Sequence, residues 1–304
     1  MALISIITVN FNQPQATLDL LKSIYECYPK ANLEVIVVDN GSKEDLGEEF
    51  KNTNLHVLYI RSEKNLGFAG GNNLGIKSAK GEYLFLINND TEFSSGLLET
   101  LTETMDANRS IGIISPKINY FDKKEIIQYA GFTPMNYYTC RNECIGQFET
   151  DRGQFNNIVA ETGFVHGAAM MIRRSALKAV GNMAENFFLY YEEMDWCEQI
   201  KRAGFKIWVN TNALIYHKES MSVGKNSALK EFFMNRNRIL FIRRNGTAMQ
   251  KSFFWVYFIC FVTPRNLIKY ISEGNSSYIS ILFKAIFWNI TNKTTSKNLG
   301  YFIK

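Results

Sequence analysis

The chain has 304 residues, 46% hydrophobic, 21% charged and 14% aromatic, with a formal net charge of +5. That length buries a sizeable core as one large domain or two small ones, and the globular composition excludes a disordered, collagenous or low-complexity protein. The charge is uneven: residues 1–200 hold 17 basic and 26 acidic residues and residues 201–304 hold 17 and 3, so an acidic front precedes a basic, aromatic back suited to nucleic acid or to an anionic membrane face.

In chain order, "LISIITVNFN" reads as a buried strand, and Pro14 opens a helix to about Cys27 with Leu18, Leu21 and Ile24 on one face. "LEVIVVDNGS" and "LHVLYI" are further strands. A glycine-rich stretch, "NLGFAGGNNLGI", leads into a short helix ending near Lys80. "EYLFLINND" is a strand ending at Asp90, "GLLETLTETMDAN" a helix and "IGIISP" a strand. Residues 116–165 are less regular and rich in tyrosine. "GAAMMIRRSALKAVG" is a strand running into a helix, "EEMDWCEQIKRAG" a helix, and "FKIWVN" and "ALIYH" two short strands. From about Ser227 the pattern is helical to the end. Continuous apolar strands alternating with helices predict a Rossmann-like, mostly parallel α/β sheet covered on both faces, with ligands beyond the carboxyl ends of its strands. The predicted organisation is an α/β domain over 1–226, with a nucleotide site expected in its first half, over 1–115, and a less regular second half over 116–226. A C-terminal helical extension follows over 227–304.

The start, "MALISIITVNFNQ", has no basic leader and reads as a strand, so a cytoplasmic protein is expected. No apolar run approaches the roughly 18–20 residues a bilayer span needs. The five cysteines are scattered and there are three histidines, so free thiols are expected rather than a structural zinc site.

The first strand is followed by "NFNQP", without the GxGxxG of dinucleotide-binding oxidoreductases, and no GxxxxGK[ST] of a P-loop is present. A nucleotidyltransferase would need a basic glycine-rich loop after that strand. Asp39 ends a buried strand, where a carboxylate either accepts from a base or ribose or simply forms an Asp-Asn-Gly turn. Asn88 and Asp90, one residue apart at another strand end, suit a shared hard divalent cation or a polar turn. Glu192, Glu193 and Asp195 open a helix, either as first-turn dipole partners or as the source of a general base. His217 ends a short strand and could complete a metal shell, whereas His166 reads as structural.

In this order, "IITVNFNQ", "VIVVDNGS", "NLGFAGGNNLGI", "YLFLINNDT", "GAAMMIRRSAL", "NFFLYYEEMDWCEQIKRAGF", "IYHKESMSVG" and "FFMNRNRILFIRRN" resemble the inverting glycosyltransferases of family 2 over about residues 3–245. The likeness is greatest to bacterial rhamnosyltransferase-type members that build surface polysaccharides such as O antigen or capsule. The resemblance implies a GT-A fold and a nucleotide-sugar donor, with Mg²⁺ or Mn²⁺ as cofactor. It assigns Thr8, Asn10 and Asp39 to the nucleoside, and Asn65, Gly67, Gly70 and Asn73 to the ribose and diphosphate. It gives Asn88, Asp90 and His217 to the metal, and Glu193, with Glu192 beside it, to catalysis. Gly167, Ala168, Asp195 and Trp196 fall to the acceptor pocket. Two positions depart from the family pattern: Asn88 stands for the first acid of Asp-x-Asp and offers only a neutral carbonyl, and Glu193 stands where Asp is commoner.

The acceptor expected on this resemblance is a glycan or a polyprenyl-diphosphate-linked glycan, with a dTDP-rhamnose donor ahead of UDP-hexoses. The apolar segments of the tail, with basic residues at their edges, predict helices lying on the inner membrane face with Trp255 and Trp288 at headgroup depth. A helical hairpin packed on the catalytic domain, or a homo-oligomer contact, is the plainer reading of the same segments. Nucleic acid is not an expected partner, because the basic residues interleave with bulky apolar ones. The alternative to an enzyme is a non-catalytic nucleotide-sugar-binding subunit of a membrane-bound assembly complex.

Overall fold

A computed structural model describes residues 2–29, 32–218 and 227–303. The first half alternates strands and helices: β1 (Ile4–Asn10), α1 (Pro14–Cys27), β2 (Leu33–Asp39), α2 (Gly47–Lys51), β3 (Val57–Arg61), α3 (Gly67–Ser78), β4 (Tyr83–Ile87), β5 (Thr91–Phe93) and α4 (Leu97–Ala107). Then come β6 (Ile111–Tyr120), β7 (Ile127–Tyr129), β8 (Val159–Glu161), β9 (Ala169–Arg173), α5 (Arg174–Val180), α6 (Glu192–Arg202) and β10 (Lys206–His217). The tail holds α7 (Ala228–Asn245), α8 (Ala248–Tyr257), a π-helical turn over Phe258–Val262, α9 (Thr263–Ser272) and α10 (Ser277–Thr291).

One sheet runs through the molecule in the order β3-β2-β1-β4-β9-β6-β10-β5, with β7 added to β6 and β8 to β10. The strands β3, β2, β1 and β4 are parallel, as are β6 and β10, whereas β9 lies antiparallel between β4 and β6. The expectation of a mostly parallel sheet thus holds for the nucleotide half and gives way to mixed pairing beyond β4. The two short strands expected at "FKIWVN" and "ALIYH" are one strand, β10, whose register slips between Asn210 and Leu214.

Strand residues alternate between two cores because successive side chains point to opposite faces. Ile4, Ile6, Val35 and Val37 meet α1 and α4 on one side, and Ile7, Ile36 and Val38 meet α3 on the other. The second core is continuous with α6, α7 and the tail through Trp196, Leu240, Phe258 and Trp288, so hydrophobic packing crosses the expected boundary at 226 without a break.

The register builds the site. Parallel pairing of β1 with β2 sets Asn10 beside Asp39. Antiparallel pairing of β9 with β4 matches Ala169 to Ile87, which carries Gly167 and Ala168 to the place where β4 ends, and the Asn88 amide donates to the Ala168 carbonyl (2.9 Å). Antiparallel pairing of β10 with β5 matches His217 to Thr91 and puts the imidazole next to Asp90.

Candidate active site

A cleft of about 600 Å³ opens over these strand ends. One side is lined by Val9, Phe11, Asn40, Asn65, Gly67 and Phe68. Asn88, Asp90, Gln128, His166 and His217 line the middle. Gly167, Ala168, Phe188, Tyr190, Glu192 and Glu193 line the far side.

The side of Asn40 and Asn65 rests on a layer of asparagines. Asn10 donates to Asp39 Oδ2 (2.9 Å) and accepts from Thr17, while the other Asp39 oxygen accepts from the Ser42 amide (2.9 Å). Asp39 and Thr8 are fully buried, Asn10 nearly so, and none of the three lines the cleft. The residue presented instead is Asn40, which the sequence reading missed. Its Oδ1 accepts from the Leu66 amide, and its Nδ2 reaches Asn65 Oδ1 and the Gly67 carbonyl.

The glycines of "NLGFAGGNNLGI" are explained by packing. Gly67 has φ +73°, and a Cβ there would run into the Phe188 carbonyl oxygen. A Cβ on Gly75 would lie 2.5 Å from Ile7, so glycine lets α3 press onto the sheet. Gly70 does not line the cleft. Asn73, expected near the diphosphate, points the other way: its amide exchanges hydrogen bonds with the Met183 backbone (2.9 and 3.1 Å) and donates to Glu185. Helical periodicity turns it from the cleft that Asn65, at the start of the stretch, faces.

At the centre, Asp90 Oδ1 and His217 Nε2 lie 3.2 Å apart, both buried, and neither atom makes a hydrogen bond. The Gln128 side-chain oxygen sits 2.8 Å from His217 Nδ1 and fixes the orientation of the ring, with Nε2 turned to Asp90. A carboxylate oxygen and an imidazole nitrogen this close can serve together as donors to a cation. The Asn88 side chain opens on the same space. Among the described residues no group of three or more His, Cys, Asp or Glu gathers, so a cation here would draw further oxygens from outside the chain. These residues fit a divalent metal. The segment after His217 in "IYHKESMSVG", from residue 219 onward, lies outside the described residues.

His166 was read as structural, yet it borders the cleft, stacked on Phe132 and edge-on to His217 at 6.2 Å. Burial, reinforced by His217, depresses its pKa to about 3, and its Nδ1 accepts from the Ala168 amide (3.1 Å), so it is a neutral wall.

Across the cleft, α6 begins after an unusual turn. Phe188, Tyr190 and Tyr191 all have positive φ (66°, 70° and 74°). Phe188, with ψ −55° and a Leu189 amide to Phe187 carbonyl bond of 2.8 Å, is the centre of a γ-turn, a rare and strained conformation. Glu193 is half-buried beside Gly167, where a Cβ would lie 3.9 Å from the Glu193 carboxyl carbon. Burial raises its pKa to about 7, against backbone hydrogen bonds that lower it. Glu192 is buried, with one oxygen unpartnered, and burial and then the neighbouring Glu193 push its carboxyl well above the usual range.

Asp195 and Trp196, expected in the acceptor pocket, are not there. Asp195 is fully buried and takes a two-pronged bond from Arg244 (2.8 and 2.9 Å), together with Asn245 and Gln199. Trp196 is buried and donates to the Gly181 carbonyl. Two residues on from Glu193, about 200° around the helix, Asp195 faces not the cleft but the joint between α6 and the tail.

Strand-end polar residues, a candidate cation site and an opposed carboxylate on one mixed α/β sheet define the GT-A class of glycosyltransferase folds. The sequence profile of glycosyl transferase family 2 matches residues 5–181, and the chain belongs to that family. It is 29% identical over 208 residues to a low-salt glycan biosynthesis hexosyltransferase of Haloferax volcanii, covering 67% of this chain and 63% of that one. Poly-beta-1,6-N-acetyl-D-glucosamine synthase of Staphylococcus epidermidis is 27% identical over 182 residues, covering 59% of this chain and 41% of that protein. The chain therefore spans less than two thirds of these relatives. Two solved structures share the fold: S. aureus TarS residues 1–349 (TM-score 0.58, 14% identity, 95% of this chain and 81% of that one) and a Pyrobaculum calidifontis mannosyltransferase with GDP-Man and Mn²⁺ (TM-score 0.58, 13% identity, 95% and 87%).

Proposed function

We propose that the chain is an inverting glycosyltransferase. It would move a sugar from a nucleoside-diphosphate donor to a hydroxyl of a glycan or lipid-linked glycan in surface-polysaccharide synthesis. The observation that carries this reading is that one cleft is lined both by the buried Asp90/His217 pair and by the Glu193 carboxylate beside Gly167. Asn40, Asn65 and the backbone around Phe11 hold the nucleoside end, over a floor stiffened by Asp39 and Asn10. Asn88, Asp90 and His217 hold Mg²⁺ or Mn²⁺, which when bound offsets the charge of the departing diphosphate. Glu193 takes the proton of the acceptor hydroxyl, and that oxygen bonds to C1 of the sugar from the face opposite the diphosphate. The C1–phosphate oxygen bond breaks, and the nucleoside diphosphate leaves with the electron pair. Glu192, whose carboxyl is pushed up by burial and then by Glu193, lies beside it in the cleft wall.

The resemblance to rhamnosyltransferase-type members favours dTDP-rhamnose, while the hexosyl relatives favour UDP-hexoses. The test is calorimetric titration with dTDP, UDP and GDP, each with Mn²⁺ and then EDTA. Tighter binding of one nucleotide that weakens in EDTA supports the reading, and no binding under either condition overturns it. A non-catalytic binding subunit would bind but not turn over, and transfer or donor hydrolysis excludes it.

The reaction would take place at the inner face of the cell membrane, a reading that the tail supports. Among the described residues no helix is long and apolar enough to cross a membrane. Yet Phe253, Val256, Phe261, Ile268, Phe287 and Ile290 are each more than half exposed. Trp288, by contrast, is buried against Arg236 rather than at headgroup depth. Residues 248–303 carry Lys251, Arg265, Lys269, Lys284, Lys293 and Lys297 against one acid, Glu273. Apolar ridges with unbalanced positive charge match an anionic lipid surface. Phe261→Ser with Ile268→Ser should abolish co-sedimentation with phosphatidylserine-containing liposomes. Unchanged sedimentation, or a concentration-dependent dimer lost in the same variant, would assign these ridges to another occupant.

A further inference from the structure

The motif "FFMNRNRILFIRRN" supplies α7, and two of its residues have no evident reason to be buried. Arg236 and Asn237 are fully buried in the middle of that helix, where apolar side chains would pack at no polar cost. The donors that find partners, Arg236 Nη2 and the Asn237 amide, all go to one place, while Arg236 Nε and Nη1 make no hydrogen bond. Arg236 Nη2 donates to the carbonyls of Asn186 (2.7 Å) and Phe187 (2.9 Å). The Asn237 amide nitrogen donates to Phe187 (2.9 Å), Leu189 (2.7 Å) and Tyr190 (2.8 Å), two N–H bonds shared among three carbonyls. The Phe188 carbonyl that is left accepts from the Phe68 amide at the start of α3 (2.8 Å).

Every backbone carbonyl from Asn186 to Tyr190 is thus held from outside the loop. That loop contains the γ-turn at Phe188 and ends in two tyrosines at positive φ, immediately before Glu192 and Glu193. A free chain would relax out of these conformations, so they persist only where the surroundings fix them. Phe188, Leu189 and Tyr190 line the cleft, and the direction in which α6 starts decides where the Glu193 carboxylate points.

We infer that Asn237, with Arg236, is a positioning residue of the reaction: it clamps the strained Phe188–Tyr191 turn and so sets the Glu193 carboxylate against the acceptor. The tail helix α7 is by this inference part of the catalytic architecture. The inference rests on Glu193 being the base.

The test is Asn237→Leu, which fills the buried volume and removes both donors. With the nucleotide sugar selected by calorimetry, kcat should fall by about 10- to 100-fold, the scale of an ångström-sized misplacement. The dissociation constant of the free nucleoside diphosphate with Mn²⁺ should stay within about twofold, because Asn237 makes no hydrogen bond at that end of the cleft and the Phe188 carbonyl, which does meet it, is held there by the Phe68 amide of α3. Hydrogen–deuterium exchange should rise in a peptide covering 186–192 and remain unchanged in one covering 228–245. Asn237→Ser, which keeps one donor, should show the same pattern at smaller amplitude and serves if the leucine variant does not fold. Arg243→Gln, which loses tail contacts to Asn289 and Asn292 only, should keep wild-type kcat. Wild-type kcat and exchange in both Asn237 variants would overturn the inference. So would parallel losses of kcat, nucleotide affinity and α7 protection, which would mark a merely structural residue. The exchange measurement reads the clamp without reference to catalysis, so a failure of the Glu193 assignment is seen separately, in Glu193→Gln.

Discussion

The cleft side and the tail side of α6 carry carboxylates two residues apart in sequence and opposite in circumstance. Glu193 faces the cleft with no cation beside it, and burial lifts its pKa to about 7. Asp195 faces the tail, more deeply buried, yet Arg244, Asn245 and Gln199 satisfy both of its oxygens. Burial without a partner raises the pKa of the one, and burial with partners satisfies the other. The Asp90/His217 pair is a third case: a buried carboxylate and a buried imidazole lie 3.2 Å apart on the floor of the cleft.

The variant expected to separate the two sides most widely is Glu193→Gln. Turnover should fall by about 10²–10⁴-fold, the usual worth of a positioned base, with nucleotide affinity retained. Near-wild-type turnover would remove Glu193 from the mechanism. The same variant should be more heat-stable than wild type above pH 7. With a native pKa of about 7 and an unfolded value near 4.5, the native chain binds the extra proton between those values, so wild-type stability declines as pH rises through that window and then levels off. In calorimetric melts the gain should vanish below about pH 4.5.

Asp195→Ala should do the reverse, costing about 3 kcal/mol in urea unfolding because it strands Arg244 and Asn245 at a buried joint. A stable but inactive Asp195→Ala protein would move that residue to the cleft side. Asp90→Asn should abolish the EDTA-sensitive part of nucleotide binding. Gln128→Leu, which frees the His217 ring, should weaken Mn²⁺ affinity by about 10- to 100-fold, read by titration calorimetry. The smallest effect is on the pH profile: kcat/KM should rise with pH through an acid limb near 7, the ionised Glu193 being the active form. A limb near 4.5 would place the base in an exposed setting.

Much of the fold was legible because its signals are local. Apolar β-branched runs mark β1, β2 and β4, Pro14 opens α1 where the sequence expected it, and the double acid marks the start of α6. What was misread turned on facing. Asn73 and Asp195 are polar residues near a cleft in sequence, yet helical rotation turns the first to Met183 and the second to Arg244. Asn40 and Gln128, which do line the cleft, had no signal beyond being amides. Their roles come from partners 26 and 89 residues away in sequence. The glycine stretch signalled close approach correctly, but what approaches at Gly67 is the Phe188 carbonyl.

By itself the sequence determined the family, through motifs that resemble it in order, and the α/β alternation, through apolar periodicity, because both are carried by residues close together in the chain. Only the tertiary structure decided which carboxylate is buried alone and which is paired. It also decided that two polar residues of a tail helix hold the turn beneath Glu193. Burial and hydrogen-bond partnership are properties of chain segments brought together from far apart, and no local pattern encodes them.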